Sequence, residues 1–258
     1  MKKHLDVALQ AARRAGSYIL SAERSGAISV RLKDANDYVT NVDSQVEQLI
    51  KDTIRLHFPH EAIYGEESGH SGNQRSGRWV IDPIDGTTNF FRGMPNYTIS
   101  IAWEEEPFTP LVGVIFNPRQ NELYWGSKGN GSFLNDQKIH VSAIQNLSEA
   151  IIVAVPPHRR RDLLDSYFET MKRISRSTSD IRSLGSCALE LAYIASGRVD
   201  GYYERALGYY DLAAGMIILQ EAGGAITPAF EGLPFSDEYC DLLASNGHLH
   251  QQLGRIIA

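Results

Sequence analysis

The residues best able to do chemistry in this chain are carboxylates placed where strands run out. Residues 79–90 read WVIDPIDGTTNF: an apolar strand meets Asp82 and Asp85, with Pro83 between them and Gly86, Thr87 and Thr88 behind. Glu66 and Glu67 follow AIYG, and Asp211 stands within GYYDLAAG. Singly, each reads as a solvated or capping residue. Asp82 is different, because WVI reads as a buried strand and a second carboxylate three residues on would repel it. Two close carboxylates stay ionised together only with compensating charge, which a divalent cation supplies best. A set of Asp and Glu without His or Cys favours a hard ion, Mg²⁺ over Zn²⁺. Pro83 fixes its own φ and biases Ile81–Asp82 to extended backbone, so that Ile84 can offer its carbonyl as a neutral ligand. Gly86 permits close approach of the chain, and Thr87 or Thr88 begins a helix whose free N–H groups form a phosphate seat. Metal carboxylates beside a phosphate seat point to phosphoryl transfer to water.

These residues need elements to hold them. Residues 1–20 carry Leu5, Ala8, Leu9, Ala12, Ala15 and Ile19 at helical spacing, an amphipathic helix broken near Gly26. ISVRL (28–32) reads as a strand, and 41–58 as a helix capped by Asn41 or Asp43 and ended by Pro59. AIYGEESG (62–69) is a short strand, HSGNQRSGR (70–78) a polar loop, and NYTISIAW, LVGVIF and ELYWGS are successive strands. From residue 149 strands alternate with helices: AIIVAV, a helix near 160–174, a strand around 178–182, a helix from Ser186, VDGYYE, a helix 211–222, and CDLLASN. The expectation is an α+β half over 1–148 carrying most of the acidic positions and an α/β half over 149–258 completing the site. The two pack as one compact unit with a cleft at their junction.

The 258 residues carry a formal net charge of −6, which opposes general affinity for nucleic acid or anionic membrane. No run of about 18 apolar residues occurs, so no membrane span is expected. Cys187 and Cys240 form no metal or disulfide pattern, and a reducing cytoplasm is the simplest reading.

WVIDPIDGTTNF and YDLAAGMIILQEAGG resemble the two signature motifs of the inositol monophosphatase family of Mg²⁺-dependent, Li⁺-inhibited phosphatases. NDYVTNVD (36–43), YGEESG (64–69) and LGSCALELAYIASGRVDGYYE (184–204) match as well, and the resemblance covers essentially the whole chain. It implies a layered α/β/α/β/α sandwich of the inositol monophosphatase and fructose-1,6-bisphosphatase type, commonly a homodimer, with the site between its halves. It implies two to three Mg²⁺ ions: Glu66, Asp82 and the Ile84 carbonyl on one, Asp82, Asp85 and Asp211 on a second, and Glu66 helping to hold a third. Thr87 would address the attacking water with help from Glu66 and Asp43, and Glu67 would orient ligands from behind. For Asp43, capping its own helix is the rival reading. Gly86 and Thr87 would cradle phosphate, with Asp85 also against the substrate. Gly185, Ser186 and Cys187 would contact the polyol, Cys187 by packing rather than as a nucleophile, and Glu204 and Asp211 would accept hydrogen bonds from its hydroxyls.

The implied activity is hydrolysis of inositol monophosphate, a small phosphorylated polyol. Histidinol phosphate, fructose 1,6-bisphosphate, NADP and 3′-phosphoadenosine 5′-phosphate are the alternative substrates. A regulatory partner of the transcription machinery that keeps the fold is the alternative from another class. Lys33 either reaches the site or is a solvated lysine. His158–Arg161 (HRRR) reads as a solvated helix start, with a substrate-anion or partner contact as the alternative. Tyr210 precedes Asp211 where many relatives carry Trp.

Overall fold

A computed structural model of the chain describes residues 1–34 and 37–258, with side chains for all of these except residues 34 and 73–76. Asn36 of the NDYVTNVD motif lies outside the described residues.

The apolar stripe of the first helix, α1 (Lys2–Ser25), buries Val7, Ala8, Ala11, Ala12, Ala15 and Ile19, and Gly26 closes it in the left-handed region. β1 (Val30–Asp34) and β2 (Asp37–Thr40) form a two-stranded antiparallel ribbon leading into α2 (Asn41–His57). Thr40, rather than Asn41 or Asp43, is the N-cap of α2: its side chain accepts the N–H groups of Val42 and Asp43, while Asp43 closes a reciprocal capping box.

The main sheet has eight strands: β3 (Glu61–Gly65), β4 (Gly69–Ser71), β5 (Asn73–Asp85), β6 (Thr98–Glu106), β7 (Thr109–Asn117), β8 (Glu122–Ser127), β9 (Gly131–Leu134) and β10 (Gln137–Ile139). Their order is β10-β9-β8-β7-β6-β5-β3-β4, antiparallel except for β3–β5. The expected loop at 70–78 is therefore largely strand, β4 and the start of β5. Its polar composition belongs to one end of the sheet, where few side chains need an apolar partner.

The second sheet has five strands, in the order β12 (Asp180–Arg182), β11 (Ile151–Val155), β13 (Gly201–Leu207), β15 (Cys240–Ser245) and β14 (Ala225–Pro228). β11 pairs in parallel with β12 and β13, whereas β15 is antiparallel to both its neighbours. After β5 a short helix α3 (Thr87–Phe91) follows, and the later helices are α4 (Leu164–Ser177), α5 (Cys187–Ala195), α6 (Tyr209–Glu221) and α7 (His250–Ile257).

Three apolar interfaces stack these layers. α1 and α2 cover one face of the eight-stranded sheet through Val46, Ile50, Trp79 and Ile101. α5 and α6 lie between the two sheets, joining Ala102, Tyr124, Leu189, Leu212, Ile218 and Leu242 in one core. α6 is apolar on every side, as a helix enclosed by two sheets must be. α4 and α7 cover the far face of the five-stranded sheet through Tyr167, Ile174, Tyr203 and Leu253. The result is the layered α/β/α/β/α sandwich. Among the described residues no helix is long and apolar enough to cross a membrane.

Candidate active site

Asp82 and Asp85 lie three residues apart on one strand, and an unbroken pleat would turn them to opposite faces. A bulge prevents this. Asp82 stands opposite Ser100 and Asp85 opposite Thr98, so three steps along β5 match two along β6. The extra residue brings both aspartates to the same side, and Pro83, with no N–H to lose, sits inside the bulge. Gly86 then turns at φ 89°, and a Cβ there would meet the carbonyl oxygens of Gly185 at 2.9 Å and Asn96 at 3.0 Å. Only glycine allows β5 to come this close to the start of α5.

Asp211 enters from the first turn of α6. One oxygen of each Asp82, Asp85 and Asp211 carboxylate falls within 4.8 Å of the others, and all three residues are buried. Each is also tied to the protein. Asp82 Oδ1 accepts the Ile84 N–H at 3.0 Å, and Asp211 Oδ2 accepts the Gly208 N–H at 2.7 Å. Asp85 Oδ2 accepts both the Ser186 hydroxyl at 2.6 Å and the Ala188 N–H at 2.7 Å. Ser186 thus holds Asp85 from the N-terminus of α5.

Glu66 follows β3, its N–H donating to Ile81 at 3.1 Å. Its side chain is 7 % exposed, and its Oε2 is buried with no hydrogen-bond partner among the described residues. Burial raises the Glu66 carboxyl well above the usual range, and the Asp211 charge adds to this. Asp82 is raised by burial and then by Glu66, Asp85 and Asp211. Burial and Asp211 push Asp85 up to about 8 against its hydrogen bonds to Ser186 and Ala188. Four buried carboxylates in mutual conflict, one with an orphan oxygen, fit a bound divalent cation.

Thr87 is the first residue of α3, with Gly86 as N-cap, so its hydroxyl is not used in capping. That hydroxyl has two acceptors, Asp43 Oδ1 at 3.1 Å and the Ile84 carbonyl at 3.0 Å. Asp43 therefore serves both of its expected connections, the α2 capping box and Thr87. It is fully buried, and burial pushes it up to about 6.

A cavity of about 340 Å³ opens over this cluster. Glu66, Asp82, Ile84, Asp85, Gly86, Thr87 and Asp211 line it from the eight-stranded side and α6. Gly185, Ser186, Cys187 and Glu204 line the opposite wall. Two named positions stand behind it. Asp43 lies under Thr87, and Glu67 accepts Lys33 Nζ at 3.2 Å and donates its N–H to Glu47 Oε2 at 2.8 Å. Lys33 thus reaches the Glu66–Glu67 turn. Glu204 accepts the Tyr202 hydroxyl, and burial and Glu190 raise it well above the usual range. Burial likewise raises the Cys187 thiol, with Asp85 and Asp211 adding, which agrees with a packing role. Tyr210 sits outside the cavity lining, against Tyr64 with ring centroids 5.9 Å apart.

The basic run is solvated at His158 and Arg161, and a 3-10 turn at Arg161–Leu163 leads into α4, as a solvated helix start would. Arg159 departs from that reading: it turns into the cavity, where Nη2 donates to Asp37 Oδ1 at 3.0 Å and stands 3.6 Å from Glu66 Oε1. Two further positions escaped sequence reasoning. Asn89 Nδ2 grips the carbonyls of Asn96 at 2.6 Å and Leu184 at 2.8 Å. Glu190 Oε1 accepts the N–H groups of Leu184 at 2.7 Å and Gly185 at 3.1 Å. Glu190 does have a signal in the sequence, the one charged residue on the otherwise apolar helix CALELAYIA, whereas nothing sets Asn89 apart from its polar neighbours in TTNFF.

The chain matches the Inositol monophosphatase family over residues 1–258. It is 37% identical over 260 residues to "Nus factor SuhB" of Pasteurella multocida, covering 100% of this chain and 91% of that protein. The extragenic suppressor protein suhB from Bartonella henselae superposes with a TM-score of 0.91 at 34% identity, over 99% of this chain and 98% of that one. The inositol monophosphatase from Anabaena (Nostoc) sp. PCC 7120 gives a TM-score of 0.86 at 35% identity, over 99% and 95%. Whole-length agreement in sequence and in layers places this chain in the inositol monophosphatase family.

Proposed function

We propose that the chain is a Mg²⁺-dependent phosphomonoesterase that hydrolyses inositol monophosphate to inositol and phosphate. The observation carrying this reading is the buried conflict among Glu66, Asp82, Asp85 and Asp211 beneath a cavity of small-molecule size. Family membership and the name of the Anabaena relative support it. Glu66, Asp82, Asp85, Asp211 and the Ile84 carbonyl would hold the ions. Bound there, a divalent ion lowers the pKa of water and stabilises charge on phosphoryl oxygens. With its proton given to Asp43, the Thr87 oxygen is left to accept a hydrogen bond from the attacking water and so orient it. Glu67 keeps the Glu66 turn in place, and the N–H groups of Gly86 and Thr87 receive phosphate. Glu204, Gly185 and Ser186 face the leaving alcohol, and Glu204 suits neutral hydroxyls better than a second phosphate. We place the protein in the cytoplasm, in keeping with its two free cysteines, and take it as a homodimer, as the family resemblance implies.

The test is one substrate panel with Mg²⁺ titrated: inositol 1-phosphate, fructose 1,6-bisphosphate, 3′-phosphoadenosine 5′-phosphate, NADP and histidinol phosphate. Inositol 1-phosphate should give the highest kcat/KM, and Asp82→Asn should lower kcat on the order of 10²-fold or more. A far higher kcat/KM for another member, or an Asp82→Asn enzyme at full rate, would overturn the reading. The name Nus factor borne by the Pasteurella relative favours a second reading, a protein partner in transcription. That role would survive Asp82→Asn, whereas hydrolysis would not.

A further inference from the structure

Arg159 is the guanidinium of the cavity with a donor to spare. Arg205 also lines the cavity, but its groups are engaged: Nε and Nη2 lie 3.2 Å from Asp241 Oδ2, and Nη1 donates to Ser166 at 3.1 Å. Arg159 has one hydrogen bond, from Nη2 to Asp37, and its Nε is buried without a partner among the described residues. Its side chain is 26 % exposed, so one side of the group remains open to an incoming molecule.

The charges of the site need such a group. Two divalent ions would balance the four carboxylates, and a phosphate monoester would then bring a further dianion's two negative charges into a largely buried space. A guanidinium keeps its proton at any ordinary pH, and its planar fork matches two phosphate oxygens. The ion pair with Asp37 engages Nη2 and leaves Nη1 without a hydrogen bond among the described residues. Nε is sealed from solvent, so an entering phosphate oxygen would meet the guanidinium at Nη1.

We propose that Arg159 binds the phosphate of substrate and product, a protein-fixed cation acting beside the N–H groups of Gly86 and Thr87. The inference deepens the phosphatase reading and rests on it for the identity of the anion. It makes two affinities move in opposite directions. Removing the guanidinium takes away a phosphate ligand, and it also takes away a positive charge 3.6 Å from Glu66 that opposes metal binding.

Calorimetry tests this with inorganic phosphate titrated into Mg²⁺-loaded protein, and Mg²⁺ titrated into phosphate-free protein. Arg159→Gln should weaken phosphate binding by roughly 10–100-fold while Mg²⁺ binds as tightly as before or tighter. Arg159→Lys should recover part of the phosphate affinity, as a point charge without the fork. The KM for inositol 1-phosphate should rise more than kcat falls. Phosphate binding equal to wild type in Arg159→Gln, a parallel loss of Mg²⁺ and phosphate in both variants, or no phosphate binding by the wild type would each overturn the proposal. A wild type that binds phosphate through Arg159 but hydrolyses no member of the panel sinks the phosphatase reading and leaves Arg159 as an anion-binding residue.

Discussion

Asp82 shows the conflict between stability and chemistry most sharply. It is buried, and Glu66, Asp85 and Asp211 all disfavour its charge. Without divalent ions Asp82→Asn should therefore be more stable than wild type, since the amide keeps the acceptor for Ile84 N–H and drops the repelled charge. A gain of about 1 kcal/mol, or roughly 2–4 °C in Tm for a domain of this size, is expected by calorimetry in chelator. A lower Tm would mean that the carboxylates are not in conflict. Asp82, Asp85 and Thr87 are legible in the sequence because strand, proline, glycine and hydroxyls lie within one short stretch. Arg159 is not, because nothing local separates it from Arg160, which pairs with Asp162 in the open. Its orientation comes from Asp37 and Glu66, far away in the chain.

The N-terminus of α5 ties the two sides of the cavity together. Its Ser186 hydroxyl and Ala188 N–H hold Asp85, while Glu190, one turn on, holds the preceding bend at 184–185. Burial pushes Glu190 up to about 7, above an ordinary glutamate near 4.5, despite those two backbone donors. The folded chain then keeps a proton that the unfolded chain sheds, so this contribution is complete below the unfolded pKa and is lost as pH rises through the folded one. Stability should fall between pH 5 and 8, and Glu190→Gln should remove at most about 3 kcal/mol of that fall. Urea unfolding at the two pH values measures it, and an unchanged difference would contradict the assignment. Periodicity located most helices and strands, including α1, α2 and β6 to β8. The ends were harder to read. Asn41 and Asp43 are both good capping types, yet the chain leaves β2 at Thr40, so Thr40 caps. The bulge that aligns Asp82 with Asp85 is set by pairing with β6, a partner that β5 alone does not reveal.

At the scale of the whole molecule, the acidic cluster joins separate layers. Glu66, Asp82 and Asp85 come from strand ends of the eight-stranded sheet, and Asp211 from the helix layer between the sheets. Alternation of strands and helices marked the second half, but it left the pairing open: β12, β11 and β13 run parallel, whereas β15 is antiparallel to β13 and β14. An ion held by Asp211 and the strand-end carboxylates crosses that boundary, so it should stabilise the whole fold. At about 100 times its Kd, Mg²⁺ should add about 2.7 kcal/mol, roughly 5–10 °C in Tm, with one cooperative transition. Asp211→Asn should lose most of that gain, and a gain equal to wild type would remove Asp211 from the ion site. The backbone and hydroxyl bonds to Asp82, Asp85 and Asp211 have one more effect. In each of these carboxylates one oxygen already accepts a hydrogen bond from the protein, which holds the group in one orientation. Calcium commonly takes carboxylates through both oxygens and tolerates loose geometry, whereas magnesium takes single oxygens at octahedral corners. The same hydrogen bonds that fix the aspartates in place would favour single-oxygen coordination, so Mg²⁺ should raise Tm more than Ca²⁺ does at equal concentration.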